Sequence, residues 1–175
     1  LLKEKYFVVE EIIRKIYQIN SCEINDTENL LMEEFVQDNN FNKTALAQFV
    51  EIVKQFRKPK KTDLANSKYI EQYIDNPSTE NFVFYQEVFL TKDGEPRKKL
   101  VTKDISEINP ELENILFKEQ QRVIDFCDKL SSLRVASSSS DLLFVVYKML
   151  DIYSDLKRRN SYMDYIDLIS KTDHL

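Results

Sequence analysis

Apolar residues recur at steps of three and four along most of this chain, the spacing that lines one face of a helix. Between residues 3 and 19 the pattern is carried by Phe7, Val8, Ile12, Ile16 and Ile19. A polar break over 20–26 follows, and Asp26 or Thr27 is placed to cap a second helix running to about Gln37, with Leu30, Leu31, Phe35 and Val36 inward. Asp38-Asn39-Asn40 ends it. A third helix is predicted from about Lys43 to Arg57 on Leu46, Phe49, Val50, Val53 and Phe56, and Pro59 forbids its continuation. A weaker fourth helix covers 63–75, with Leu64, Ile70, Tyr73 and Ile74, and stops at Asn76-Pro77-Ser78. Asn109-Pro110 opens a long later helix, because proline is tolerated at the first helical position. Its inner face is Leu112, Ile115, Leu116, Val123, Ile124, Cys127, Leu130 and Leu133, with a kink expected near Lys118. Ser137-Ser138-Ser139-Ser140 reads as a linker and cap. Beyond it, Leu142, Leu143, Val146, Met149, Leu150, Tyr153 and Leu156 mark another helix. It ends in Lys157-Arg158-Arg159, whose charge suits the negative end of the helix dipole. After Asn160-Ser161, a last amphipathic segment covers Tyr162 to about Asp173.

The pattern changes in one place. Phe82 to Leu90 is dense in aromatic and β-branched residues, which favour strand. Asp93-Gly94 is a strong hairpin signal, and Arg97 to Lys103 can return as the partner strand. A lone hairpin is marginal, so this one must lean on helices. The expected fold is therefore mainly α. It is a bundle-like single domain over 1–175 with one small β-hairpin at about residues 82–103. A division into an N-terminal helical lobe, 1–76, and a hairpin with C-terminal helices, 82–175, is the alternative.

Composition narrows the chemistry. The single glycine, Gly94, leaves no glycine-rich loop to cradle a nucleotide phosphate, so neither a Walker A loop nor a dinucleotide fingerprint is present. The single histidine, His174, stands next to the C-terminal residue and has no nucleophile partner in pattern. The cysteines, Cys22 and Cys127, lie far apart in apolar surroundings and read as buried thiols in a reducing cytoplasm. The pairs Glu10-Glu11 and Glu33-Glu34 point in different directions on a helix, so neither converges on a metal. No apolar run approaches the roughly 18 residues of a membrane span. No catalytic or metal site is expected. The first residue is Leu1, and a piece of something longer is expected.

Net charge is −5, yet the cations cluster. Arg57-Lys58-Pro59-Lys60-Lys61 is one group, read either as a phosphate-contacting loop or as a solvated helix end. Arg97, Lys98, Lys99 and Lys103 form a second on the hairpin. Such charge can position phosphates without reading sequence. It can equally be a cationic edge that resists aggregation.

Two stretches carry a family resemblance. Tyr153, Lys157 and Arg158, followed by Met163, Asp164, Tyr165, Ile166, Asp167, Leu168 and Ile169, resemble a Y-x-x-x-K-R/K then L-D-[FY]-D-D-L-I pattern. That pattern leads into the motor core of UvrD/RecB-type DNA helicases, and is most similar to that of AddA helicase–nuclease subunits of bacterial double-strand break repair. Ile166 stands where the family usually has a second acid. Phe89, Leu90, Thr91, Gly94, Pro96, Arg97, Lys98 and Leu100 resemble the F-L-T-x-x-G-x-P-R-K-K/R-L element of the same inserted subdomain. The resemblance covers about Val88 to Leu175.

It implies the 1B accessory subdomain of an ATP-dependent helicase–nuclease. Such a subdomain engages DNA, single-stranded or at a duplex junction, beside the remaining motor domains and a nuclease partner subunit, in a bacterial cytoplasm at the nucleoid. ATP and magnesium would serve the parent, with no cofactor in this chain. Expected DNA contacts are Arg97, Lys98, Lys99, Lys103, Lys157, Arg158, Arg159 and Tyr165. Tyr165 corresponds to an aromatic at the single-strand channel, where a stacked base is worth roughly 1–3 kcal/mol. Packing against a motor domain is its other reading. The competing function is a helical protein-interaction module, or a non-catalytic piece of a split gene, that binds no DNA.

Overall fold

The structure, a computed structural model, describes residues 2–38, 41–163, 165 and 169. It is mainly α. Among the described residues the order is α1 Leu2–Ile19, α2 Glu28–Gln37, α3 Lys43–Gln55, α4 Lys61–Asp75, α5 Thr79–Phe89, α6 Lys103–Ile108 and α7 Pro110–Arg159. None of these helices is long and apolar enough to cross a membrane. Three starts follow cap chemistry, in which a short oxygen side chain bonds an orphan N–H of the first turn. Thr27 Oγ1 accepts from Leu30 N, Asn42 Oδ1 from Ala45 N, and Ser78 Oγ from Asn81 N. Two ends share another device. Ser21 (φ 54°) and Ser161 (φ 56°) take the left-handed conformation in which Cys22 N donates to Tyr17 O and Tyr162 N donates to Lys157 O. Glycine usually fills this position. Here serine does, in a chain whose one glycine is needed elsewhere.

Two compact units result. The terminal unit comprises Leu1–Ile24 and Leu133–Leu175, and the central unit Asn25–Ser132. α7 contributes to both, and residues 76–82 fall inside the central unit.

The central unit is organised on aromatic rings. Tyr73 stacks on Tyr85 at 4.2 Å between centroids and Phe35 on Phe126 at 4.3 Å. Phe82 meets Phe126 edge-on at 4.9 Å. Each such pair adds roughly 0.5–1.5 kcal/mol beyond the area it buries. The predicted face of α3 is buried at Leu46, Phe49, Val50 and Val53. Leu30 and Leu64, expected inward, are exposed instead.

Two expectations are corrected. The strand over Phe82–Leu90 is helix α5. Ser78 caps it, and Phe82, Tyr85, Val88 and Phe89 are buried at helical spacing. Side-chain period and a cap outweigh β-rich composition here. What remains of the hairpin is a single antiparallel bridge, Leu90 to Pro96, and Arg97–Lys103 forms no strand. Nor does the serine tract interrupt α7, which runs on as one helix. Ser140 Oγ donates to Ala136 O at 2.8 Å, as Ser131 Oγ does to Cys127 O at 2.9 Å. Serine that bonds back to the carbonyl four residues earlier is accommodated inside a helix.

Candidate nucleic-acid interface

The cationic segment after α5 is held by one buried amide. Gln120, on α7, donates from Nε2 to both Phe89 O (2.7 Å) and Arg97 O (3.0 Å). Thr91 N donates to Glu95 O and Gly94 N to Thr91 O, closing the turn between them. Gly94 has φ +81°, which a side chain rarely tolerates. Arg97 Nε donates to Leu90 O at 2.9 Å, so part of this predicted DNA contact is committed to the turn itself. Lys98 and Lys99 follow immediately and are exposed.

A second tie brings the two cationic groups together. Asp63, in the first turn of α4, is 3% exposed, and its Oδ2 accepts from Thr102 Oγ1 at 2.7 Å. Thr102 precedes α6, so this bond joins the starts of two helices. Asp63 and Thr102 both line a cleft of about 440 Å³, with Lys60, Lys99 and Lys103 also among its lining residues. Lys60 pairs with Asp104 at 2.9 Å, both side chains being half exposed. Exposed pairs of this kind are worth little and exchange readily for another anion. The cleft therefore presents lysines from two runs about forty residues apart. It has little else to offer chemically: Glu113 accepts from Ser106, and no group of three or more His, Cys, Asp or Glu residues among those described is placed to hold a metal.

The remaining predicted contacts lie in the terminal unit. Lys157, Arg158 and Arg159 form the last turn of α7. Lys157 Nζ sits 5.2 Å from the Tyr153 ring centre, and Arg158 bonds Asp155 at 2.8 Å. Tyr165 is 76% exposed. Asp164, Ile166, Asp167 and Leu168 of the same box lie outside the described residues, as does His174.

Sequence reasoning missed a buried polar cluster in the central unit. Glu119 accepts from Tyr85 Oη (2.7 Å) and from Arg122 Nη2 (2.7 Å) and Nε (2.9 Å). Arg122 also donates to Phe35 O and lies flat on the Phe35 ring, 3.6 Å from its centre. Burial works against the guanidinium charge, but Glu119 outweighs it and holds Arg122 above its ordinary range. Burial first, then the Glu119 charge, pushes the Tyr85 phenol well up. A spacing of three between Glu119 and Arg122 was visible, but it marks surface pairs equally often. Cys22 Sγ donates to Asn20 O and Cys127 Sγ to Gln86 Oε1, and both thiols are free of disulfides. The chain matches no protein-family model, no curated protein and no solved structure.

Proposed function

We propose that this chain is a DNA-engaging helical accessory subdomain of a larger ATP-dependent helicase–nuclease of the AddA type, acting in double-strand break repair. The parent would supply the motor, its ATP and magnesium, and the nuclease. The observation that carries the DNA contact is the meeting of Lys60 with Lys99 and Lys103 at one cleft. Two cationic runs, distant in a chain of net charge −5, converge on a concave surface. Exposed ammonium groups there, Lys60 held only by its half-exposed pair with Asp104, suit phosphate oxygens of any sequence, in keeping with a part that moves along DNA. The resemblance from Val88 onward supplies the parent.

The test is fluorescence anisotropy of the chain on a duplex with a single-stranded tail, across a salt series. Wild type should bind weakly, with affinity falling as salt rises. Lys60→Glu/Lys99→Glu/Lys103→Glu should flatten the log–log slope by about two units, since each phosphate contact contributes roughly 0.7–0.9. Absence of binding at low salt, or a triple variant that binds like wild type, overturns the cleft as a DNA contact. The protein-interaction reading has its own support in the apolar surface of the terminal unit, where Leu142, Met149 and Ile152 are each more than 60% exposed.

A further inference from the structure

That apolar surface is ordered. Along α7, Val135, Leu142, Val145, Met149, Ile152 and Leu156 are all exposed, between 51% and 65%. With Ser138 they alternate at steps of three and four, a strict heptad in which Val135, Leu142, Met149 and Leu156 take position a and Ser138, Val145 and Ile152 take d. The seam covers about three heptads, the shortest run that marks a coiled coil. Opposite it lie Ala136 and Ser140, both buried, and Tyr147, which with Leu150 lines a groove against Val8 and Val9 of α1. The helix thus packs within its own unit through Ala136, Ser140 and Tyr147 and leaves a and d open, with Leu150 and Tyr153 exposed beside them. A heptad period has no use on a solvated helix, whose apolar stripe drifts at 3.6 residues per turn.

The flanking charges select the occupant. Position g holds Arg134, Asp141, Lys148 and Asp155, alternating in sign. In an antiparallel pair of identical helices, g residues face g residues. With Leu142 layered on Val145 of the second copy and Val135 on Ile152, the facing pairs are Arg134 with Asp155 and Asp141 with Lys148. Every one is complementary, and each occurs twice by symmetry. A parallel in-register pair would set these charges against Ser139, Val146 and Tyr153, which carry none. We propose that α7 pairs antiparallel with α7 of a second copy of this chain through the seam from Val135 to Ile152. The proposal does not depend on the DNA reading, since cleft and seam belong to different units.

Sedimentation equilibrium on the full chain, up to about 100 µM, tests it. A concentration-dependent dimer is expected. Val145→Lys, at an exposed site that leaves the monomer's helix content unchanged by circular dichroism, should weaken it at least tenfold. Lys148→Glu makes two facing pairs repulsive and should weaken it about tenfold. Asp141→Lys/Lys148→Glu restores complementarity only in the antiparallel self-pair and should return within about twofold of wild type. A chain that stays monomeric assigns the seam to a helix of another protein and overturns the proposal. So does a dimer indifferent to Val145→Lys, or one that the double reversal fails to restore.

Discussion

Removing the Glu119 carboxylate should cost the central unit more than any surface change. In Glu119→Ala, Arg122 loses two hydrogen bonds and Tyr85 loses its acceptor. Arg122 stays buried, its side chain 10% exposed, with Asp38 no nearer than 3.9 Å. A buried charge left in this state costs about 3–5 kcal/mol. That is a large part of the roughly 5–15 kcal/mol that holds a domain together. Tyr85→Phe removes one bond to a charged acceptor, and about 1.5–3 kcal/mol is expected. The two losses share an acceptor, so they are not additive. Replacing both charges, as Glu119→Leu/Arg122→Met, removes the orphaned charge, though not the loss at Tyr85, and should cost less than Glu119→Ala alone. Urea unfolding at constant m-value reads all four chains. A Glu119→Ala cost under about 1 kcal/mol would show that water reaches Arg122, and the buried-pair account would fall with it.

Two further outcomes follow from the same interior and its rim. Thr102→Val keeps the side-chain shape but strips Asp63 of its hydrogen bond, and about 1–3 kcal/mol should be lost in thermal or urea unfolding. An unchanged midpoint would mean that Asp63 does not join α4 to α6. Tyr73 and Tyr85 both have folded-state pKa values raised by burial. Their contribution is whole below about pH 10, where an unfolded tyrosine ionises, and is lost as pH rises beyond it, by about 1.4 kcal/mol per pH unit for each. Urea midpoints at pH 9, 10 and 11 should fall more steeply in wild type than in Tyr85→Phe, and equal slopes would refute the assignment.

The reach of the sequence can be judged residue by residue. Thr27 as a cap, the face of α3 and the helix end at Asn160-Ser161 were legible because each is a local pattern with a local cause. In α5 two signals conflict: Phe82, Tyr85 and Phe89 are three and four apart, as in a helix, while the β-rich composition points to strand. The serine tract failed because back-bonding by Ser140 is invisible until a helix already exists around it. The cleft was out of reach for another reason. Lys60 and Lys99 line one cleft beside the bond between Asp63 and Thr102, 39 residues apart. Nothing in either stretch alone announces that partner, and each cationic run taken singly favours a solvated surface. Tyr85 and Glu119, 34 residues apart, pose the same difficulty.

The two units differ in how they treat polar and apolar groups, and the difference bears on function. In the central unit Phe35, Phe49, Tyr73, Phe82, Tyr85, Phe89 and Phe126 are buried and its deeply buried Arg122 is paired, so its stability comes from within. Lys60, Lys99 and Lys103 take no part in that core, so their charge can be reversed without weakening it. In the terminal unit Tyr17, Cys22, Leu133 and Ala136 are buried, while three heptads of α7 stay open. Open apolar area of that order carries an aggregation cost in a lone chain, so a covering partner is the condition under which such a sequence persists. Charge on the seam's flanks restricts which partner that can be, since only a helix with the opposite alternation escapes like-charge contacts. Because cleft and seam are built by different residues in different units, a charge reversal at Lys99 leaves the seam intact, and Val145→Lys leaves the cleft intact. Loss of DNA binding in the second variant would therefore report that binding needs two copies together, each cleft raising the effective concentration of the other on one strand.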